Sequence, residues 1–454
     1  MKISRRIIPW LALLVVTTLN PQLSTVFAQS VTFTTNNYNV PDWAMCVMAT
    51  NINGSGKPDL IALDCYSLVL LTNNGSGIFG SNATPFTVSP VERIERGTRM
   101  TKVVAADVNG DSKPDLILLE QTSFGGTLYL LTNNGSGAFG PNATLCWDNR
   151  SILCDMTDVV AANVNGDGKA ELIVADALFN TLIVLTNNGR GAFGFNAFFN
   201  VGSEPDGVAP ADVNGDGTLD LISANYKDNT LTVLTNNGHG VFGSNATLNA
   251  GSGPFCVIAA DVNGDGKADL ISANYWDNTL TVLTNNGGGV FGSNATLNVG
   301  RGPRCVIAAD VNGDGALDLI SANYGTHTLT VLSNNGRGVF GSNATLNVGS
   351  EPLCVIAADV NGGGKADLVS ANFWDGTLTV LINTTPLPAP ALNIVSAGNR
   401  VALYWPAWAT NYVLEATTNL AASDWVTVTN DTPITGGVTL TNTWPVAYFR
   451  LHQF

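Results

Sequence analysis

The decapeptide Asp261–Leu270, DVNGDGKADL, sets Asp261, Asn263, Asp265 and Asp269 at positions 1, 3, 5 and 9 of one short segment. Gly264 and Gly266 stand between them, where a tight loop calls for positive φ. The flanks, CVIAA before and LISAN after, read as strands, so the loop joins a β-hairpin. An Asn-Gly or Asp-Gly turn needs no third carboxylate at position 9, where it repels the other two unless a cation lies among them.

The segment recurs. Copies begin at Asn51, Asp107, Asn163, Asp212, Asp261, Asp310 and Asp359, spaced by 56, 56, 49, 49, 49 and 49 residues. A full copy, Cys256–Gly300, divides into four apolar or alternating runs separated by Gly/Asn turn signals. Each copy is therefore a four-stranded antiparallel unit. Its strands are apolar on both faces, and a closed ring of stacked sheets covers both without long exposed edges. The expectation is an all-β, seven-bladed β-propeller over residues 31–383. The last copy turns into TTPLPAPA before its fourth strand, and NYNVPDWAMC aligns with TLNVGRGPRC. Residues from about Val31 to Val40 are thus expected to supply the outer strand of the seventh blade.

The loops carry only hard oxygen donors, with the backbone carbonyl of position 7 completing the six to eight ligands that Ca²⁺ takes. The candidate sets are Asn51, Asn53 and Asp59; Asp107, Asn109, Asp111, Lys113 and Asp115; Asn163, Asn165, Asp167, Lys169 and Glu171; and Asp212, Asn214, Asp216, Thr218 and Asp220. They continue with Asp261, Asn263, Asp265, Lys267 and Asp269; Asp310, Asn312, Asp314, Ala316 and Asp318; and Asp359, Asn361, Lys365 and Asp367. About five to seven Ca²⁺ sites are expected, the first copy being the poorest and the last lacking a carboxylate at Gly363. Of the 35 acidic residues, 17 lie in these loops, so bound Ca²⁺ would offset much of the net charge of −15. Position 12 is Ser272 rather than the Glu of a helical calcium loop.

ADVNGDGKADLISAN and VLTNNGGGVFG resemble the FG-GAP/VCBS repeats of secreted bacterial proteins, related to the calcium-bearing propeller of integrin α subunits. That resemblance implies fold and metal. It does not choose a ligand, because such repeats include adhesion and lectin-like modules as well as domains attached to enzymes.

The chain opens with Lys2, Arg5 and Arg6 before an apolar run from Ile7 to Leu19, with Val26 and Ala28 as small residues before a cleavage point. This reads as a signal peptide, residues 1–28, and places the mature protein outside the cytoplasm, secreted or at the cell surface. No later segment is long and apolar enough to span a bilayer. An excess of 35 acidic over 20 basic residues argues against a nucleic-acid partner.

Cys146 and Cys154 lie in one lengthened connection and are a candidate disulfide, with Cys46 and Cys65 a weaker pair. Cys46, Cys256, Cys305 and Cys354 recur five residues before their loops and read as buried small hydrophobes. His239, His327 and His452 join no catalytic constellation. The Asn-Ala-Thr segments at Asn245, Asn294 and Asn343 read as turns.

Strand 2 to 3 connections present Tyr226, Tyr275, Trp276, Tyr324, Phe373 and Trp374 on the face opposite the acidic loops. The lengthened 4 to 1 connections add Arg93, Arg96, Arg99, Trp147 and Arg150. Trp147, Tyr226, Trp276, Tyr324 and Trp374 are the candidate ligand contacts. The expected function is a non-catalytic binding or adhesion module for carbohydrate or a surface protein; a polysaccharide lyase or hydrolase, or a structural spacer, is the alternative. After a Pro-rich linker, 384–391, residues 392–454 are rich in Trp and Tyr and resemble a small β-sandwich close in pattern to fibronectin type III.

Overall fold

The computed structural model describes residues 30–81, 86–87, 99–122, 125–146 and 155–386, together with C-terminal strands within 393–453. The signal-peptide reading, the Cys146–Cys154 pair, Trp147, Arg93, Arg96, Arg150 and the Arg99 side chain lie outside what is described. All described regular structure is β.

Seven sheets of four strand positions are arranged as blades, the first six running in sequence order from an inner strand outward and the seventh taking its outer strand from the start of the described chain. In blade 1 the fourth strand is split into Phe79–Ser81 and Phe86–Thr87. The inner strands are Ala44–Thr50, Arg99–Ala106, Met156–Ala162, Pro205–Ala211, Pro254–Ala260, Pro303–Ala309 and Pro352–Ala358. Each lies beside the next, and the last lies beside the first, so the ring is closed. The chain is a seven-bladed β-propeller. Its closure uses Phe33–Asn39, which pairs antiparallel with Thr377–Asn383 from Phe33↔Asn383 to Asn39↔Thr377 and completes blade 7.

The second strand shows why these sequences stack. DLISAN at Asp269–Asn274 is buried at every residue, with Leu270, Ile271 and Ala273 apolar and Ser272 and Asn274 polar. The polar pair is satisfied internally: Ser272 Oγ donates to Asn274 Oδ1 at 3.0 Å, and Asn274 Nδ2 donates to Thr279 and Thr281 at 3.1 and 2.9 Å. Blades 4, 6 and 7 repeat this network. A fully bonded polar group costs little inside a core.

A second repeated device ties blade to blade. Asn285, ending the third strand of blade 5, donates from Nδ2 to Val213 O of blade 4 at 2.7 Å and to Ala268 O at 3.0 Å, and its Oδ1 accepts Gly287 N–H at 2.9 Å. The equivalent side chains, Asn133, Asn187, Asn236, Asn334 and Asn383, reach Ile52, Val108, Val164, Val262 and Val311. Asn73 of blade 1 reaches Val360 of blade 7 and completes the circle at 2.8 Å. Asn285→Ala should strand two buried carbonyls and cost about 2 to 4 kcal/mol, read as a lower denaturation midpoint with an unchanged slope.

Two sequence expectations are corrected. Asn245, Asn294 and Asn343 lie within fourth strands rather than turns, each where the register jumps against the third strand, as between Val233 and Leu234. A bulge accommodates one residue more than its partner strand, and that is the place Asn-Ala-Thr fills. Cys46 and Cys65 form no disulfide: Cys46 faces blade 7, while Cys65 follows the second strand of blade 1. The C-terminal strands form two three-stranded sheets, one ordered Asn393–Ala397, Arg400–Tyr404, Gly437–Thr441 and the other Val426–Thr427, Tyr412–Thr417, Tyr448–Gln453.

Candidate functional site

The acidic loops all lie at the same end of the blades, between first and second strands. At Asp261 the carboxylate accepts Gly264 N–H at 2.8 Å and Gly266 N–H at 2.7 Å. Asn263 Oδ1 accepts Asp265 N–H, and Asp265 Oδ1 accepts Lys267 N–H, at 2.9 and 3.0 Å. Asp269 is fully buried and accepts Val262 N–H at 3.2 Å and, from the end of the third strand, Asn285 N–H at 2.8 Å. Burial pushes the Asp269 carboxyl up, the two N–H donors oppose this, and Asp265 and Asp261 push it further up. In blade 6 the same balance carries Asp318 to about 7.

The position-7 lysines do more than offer a carbonyl. Lys267 Nζ donates to Asn286 O at 2.8 Å and stands 3.6 Å from Asp265, so it clamps the loop to the neighbouring turn and supplies part of the missing positive charge. Lys113 repeats both contacts, at 3.0 Å to Asn134 O and 3.5 Å to Asp111. Among the described residues no group of three or more His, Cys, Asp and Glu side chains is arranged to hold a metal ion. The donor chemistry nonetheless suits a hard cation, and the loop that is poorest in sequence has two buried acceptors, Asn51 Oδ1 and Asp59 Oδ2, with no hydrogen-bond partner.

The inner strands build the other feature, and sequence reading missed its basis. Every one carries a β-bulge at the same place, at Met45, Thr101, Thr157, Asp206, Phe255, Arg304 and Leu353. A bulge re-aims side chains. Here those seven residues and the seven that follow, Cys46, Lys102, Asp158, Gly207, Cys256, Cys305 and Cys354, line one central cavity of about 850 Å³. Within the second ring Lys102 Nζ lies 2.8 Å from Asp158. Burial alone would lower the Lys102 pKa, but the Asp158 carboxylate holds it well above the usual lysine value.

The first ring lies toward the face opposite the acidic loops. Arg304 is packed among rings, its guanidinium 4.5 Å from the centre of Phe255, 4.9 Å from Tyr324 and 5.4 Å from Tyr275. Its Nε is buried without a hydrogen-bond partner. Burial pushes Asp206 up to about 7; Arg304 opposes this, and Asp155, Asp158 and Glu204 add to it. The folded protein therefore holds more protons than the unfolded chain between about pH 4 and 7, so this group's contribution to stability falls as pH rises through that window. Asp206→Asn should remove that part of the decline, read as the difference between variant and parent midpoints at pH 4 and pH 8.

Aromatic side chains rim the mouth. Trp276 is 61% exposed and Trp374 63%. Trp276 Nε1 donates to Tyr226 Oη of the preceding blade at 2.7 Å, and its ring meets Tyr275 edge-on at 4.8 Å. Tyr226 and Tyr275 both pack on Phe255, so these tyrosines link blades and brace the exposed indole. Tyr324 lines the cavity beside Arg304. Trp374 stacks on Trp43 with centroids 6.5 Å apart and planes 10° from parallel, and Trp43 is itself 42% exposed. Trp43, Leu178 and Phe179 were not anticipated as rim residues; Leu178 occupies the repeat position of Trp276, and Trp43 that of Gly302.

Fold and loops together define a repeat β-propeller with acidic Asx-rich hairpins on one face and a funnel on the other. The FG-GAP-like repeat family matches residues 51–118, 107–174, 163–223, 212–272, 261–321 and 310–370. The chain belongs to that family. No match to a curated protein was found. Among solved structures it is similar to BBS1N in complex with ARL6DN, with 13% identity, a TM-score of 0.56, and coverage of 80% of this chain and 98% of that one. A lectin from Agrocybe aegerita, described for recognition of non-reducing terminal N-acetylglucosamine, has 21% identity and a TM-score of 0.50 over 78% of this chain and 87% of its own. Virginiamycin B lyase from Staphylococcus aureus has 12% identity and a TM-score of 0.51, covering 77% and 99%. At these identities the likenesses concern the fold alone.

Proposed function

We propose that the protein is a non-catalytic binding module that receives a carbohydrate at the funnel mouth, with Ca²⁺ in the opposite loops as a structural ion. The observation that carries this reading is the braced, outward indole surface of Trp276 and of the Trp43–Trp374 stack around a cavity lined near its mouth by Asp206 and Arg304. Flat aromatic faces match the apolar faces of sugar rings, while Asp206, Arg304 and Gln121 offer donors and acceptors to hydroxyl groups. That one similar propeller is a lectin agrees with the reading.

Calcium fits the loops by donor type. Asp261, Asn263, Asp265 and Asp269 and their equivalents would hold it, and the ion would supply the positive charge these carboxylates lack. We place the mature protein outside the cytoplasm, on the strength of the N-terminal sequence pattern.

A second reading, a polysaccharide lyase or hydrolase, is favoured by one group: Asp206, poised near neutrality beside Arg304 in the cavity. A glycan array probed with and without Ca²⁺, followed by product analysis on each bound glycan, separates the two. Binding without cleavage supports the module. Cleavage that Asp206→Asn abolishes replaces it with the enzyme.

A further inference from the structure

The second channel ring holds four thiols on four successive positions. Going round, Asp158 is followed by Gly207, Cys256, Cys305, Cys354, Cys46 and Lys102, and Lys102 pairs with Asp158 across the last step. Cysteines 49 residues apart read in sequence as repeated apolar filler. Closure of the ring sets Cys46 of blade 1 beside Cys354 of blade 7, with sulfurs 4.0 Å apart. None of the four is in a disulfide. Successive thiols of the arc also face one another, Cys256 with Cys305 and Cys305 with Cys354. Their other contacts are weak, long ones: Cys256, Cys305 and Cys354 each approach a carbonyl of the next blade, Val306, Val355 and Val47, at 3.9, 3.7 and 3.6 Å, and Cys46 approaches Val47 O at 3.9 Å.

We infer that this arc of thiols binds a soft, monovalent d¹⁰ metal ion of the Cu(I) class, held chiefly by Cys46 and Cys354. Two thiolates sharing one ion at a metal–sulfur distance of about 2.3 Å lie roughly 3.8 to 4.6 Å apart, from tetrahedral to linear coordination. The observed 4.0 Å falls within that span, whereas a disulfide needs the sulfurs to close to about 2.05 Å. Zinc is disfavoured because it takes four ligands and the ring has no group of three arranged around one point. Soft thiolates select Cu(I), which accepts low coordination numbers. Binding breaks two S–H bonds, forms two metal–sulfur bonds and releases two protons, with no change of oxidation state. The product carries one net negative charge; Lys102, adjacent to Cys46 in the ring, attracts it, although its ammonium is already paired with Asp158. An ion can enter through the funnel, since one cavity is lined both by the thiols and by mouth residues Tyr324 and Phe373.

The test uses the reduced protein and Cu(I) presented as its coloured bicinchoninate complex. The wild type should withdraw one equivalent of copper, with a sulfur-only first shell by X-ray absorption. Cys46→Ser and Cys354→Ser should each weaken retention at least 100-fold, while Cys65→Ser, a cysteine outside the ring, should leave it unchanged. Thermal melts of the metal-free variants check folding; should either Ser variant not fold, wild-type protein alkylated in its native state at Cys46 or Cys354 takes its place. Failure of the wild type to withdraw copper, or full retention in both variants, overturns the site. So does a non-reducing mass lacking two hydrogens, with a Cys46–Cys354 crosslink and no copper held.

Discussion

Deletion of Val31–Val40 is expected to leave a propeller that aggregates or melts at least about 10 °C below the intact protein. The segment contributes a seven-residue antiparallel pairing to Thr377–Asn383, two buried valines at its ends, and a backbone bond from Val40 to Gly376 O at 2.9 Å. Without it the third strand of blade 7 becomes an exposed edge beside the seam where Asn73 and Val360 join first and last blades. The readout is size-exclusion chromatography with a thermal melt. A monomeric deletion that melts like its parent would show that closure does not depend on this strand.

Chelation is expected to have the second large effect. For sites with dissociation constants of about 10⁻⁴ to 10⁻³ M, millimolar Ca²⁺ stabilises by roughly 0.4 to 1.4 kcal/mol per site. Five to seven such sites give about 2 to 10 kcal/mol, or about 3 to 14 °C for a domain of this size. Melts in excess EDTA and in millimolar Ca²⁺ measure it directly. Asp265→Ala should lose more of the increment than Ser55→Ala, because the first loop keeps only one carboxylate. Equal melting temperatures in both buffers would leave the Asx hairpins as metal-free turns, held by the amide and lysine contacts already described.

Much of this architecture is legible in the sequence because each feature is written seven times. The hairpin loops, the doubly apolar second strand and the missing fourth strand of the last copy all follow from local pattern, and register then places Phe33–Asn39. The channel is different. Its bulge residues, Met45, Thr101, Thr157, Asp206, Phe255, Arg304 and Leu353, share no chemistry. Pro205, Pro254, Pro303 and Pro352 stand just before the bulge in blades 4 to 7, but Ala44, Met100 and Met156 hold that place in blades 1 to 3. A proline there reads equally as the start of a strand, so the pattern does not announce that two successive side chains face inward. Contacts between blades are equally hidden. Trp43 and Trp374 stack, and Cys46 and Cys354 meet, only because the ring closes across more than 300 residues of chain. The role of TNNG was half visible: its glycine signals a turn, while its first asparagine turns out to be the bolt between neighbouring blades.

The most direct test of the binding account is calorimetric titration of the best array glycan into wild type, Trp276→Ala and Trp374→Ala, each in millimolar Ca²⁺. Loss of one stacking indole should weaken binding by roughly 10- to 100-fold, the cost of an aromatic anchor of about 1.5 to 3 kcal/mol. The melting temperature and its response to EDTA should stay within about 2 °C of wild type, since both indoles are mostly exposed. Wild-type affinity in both variants would contradict the funnel mouth as the binding site.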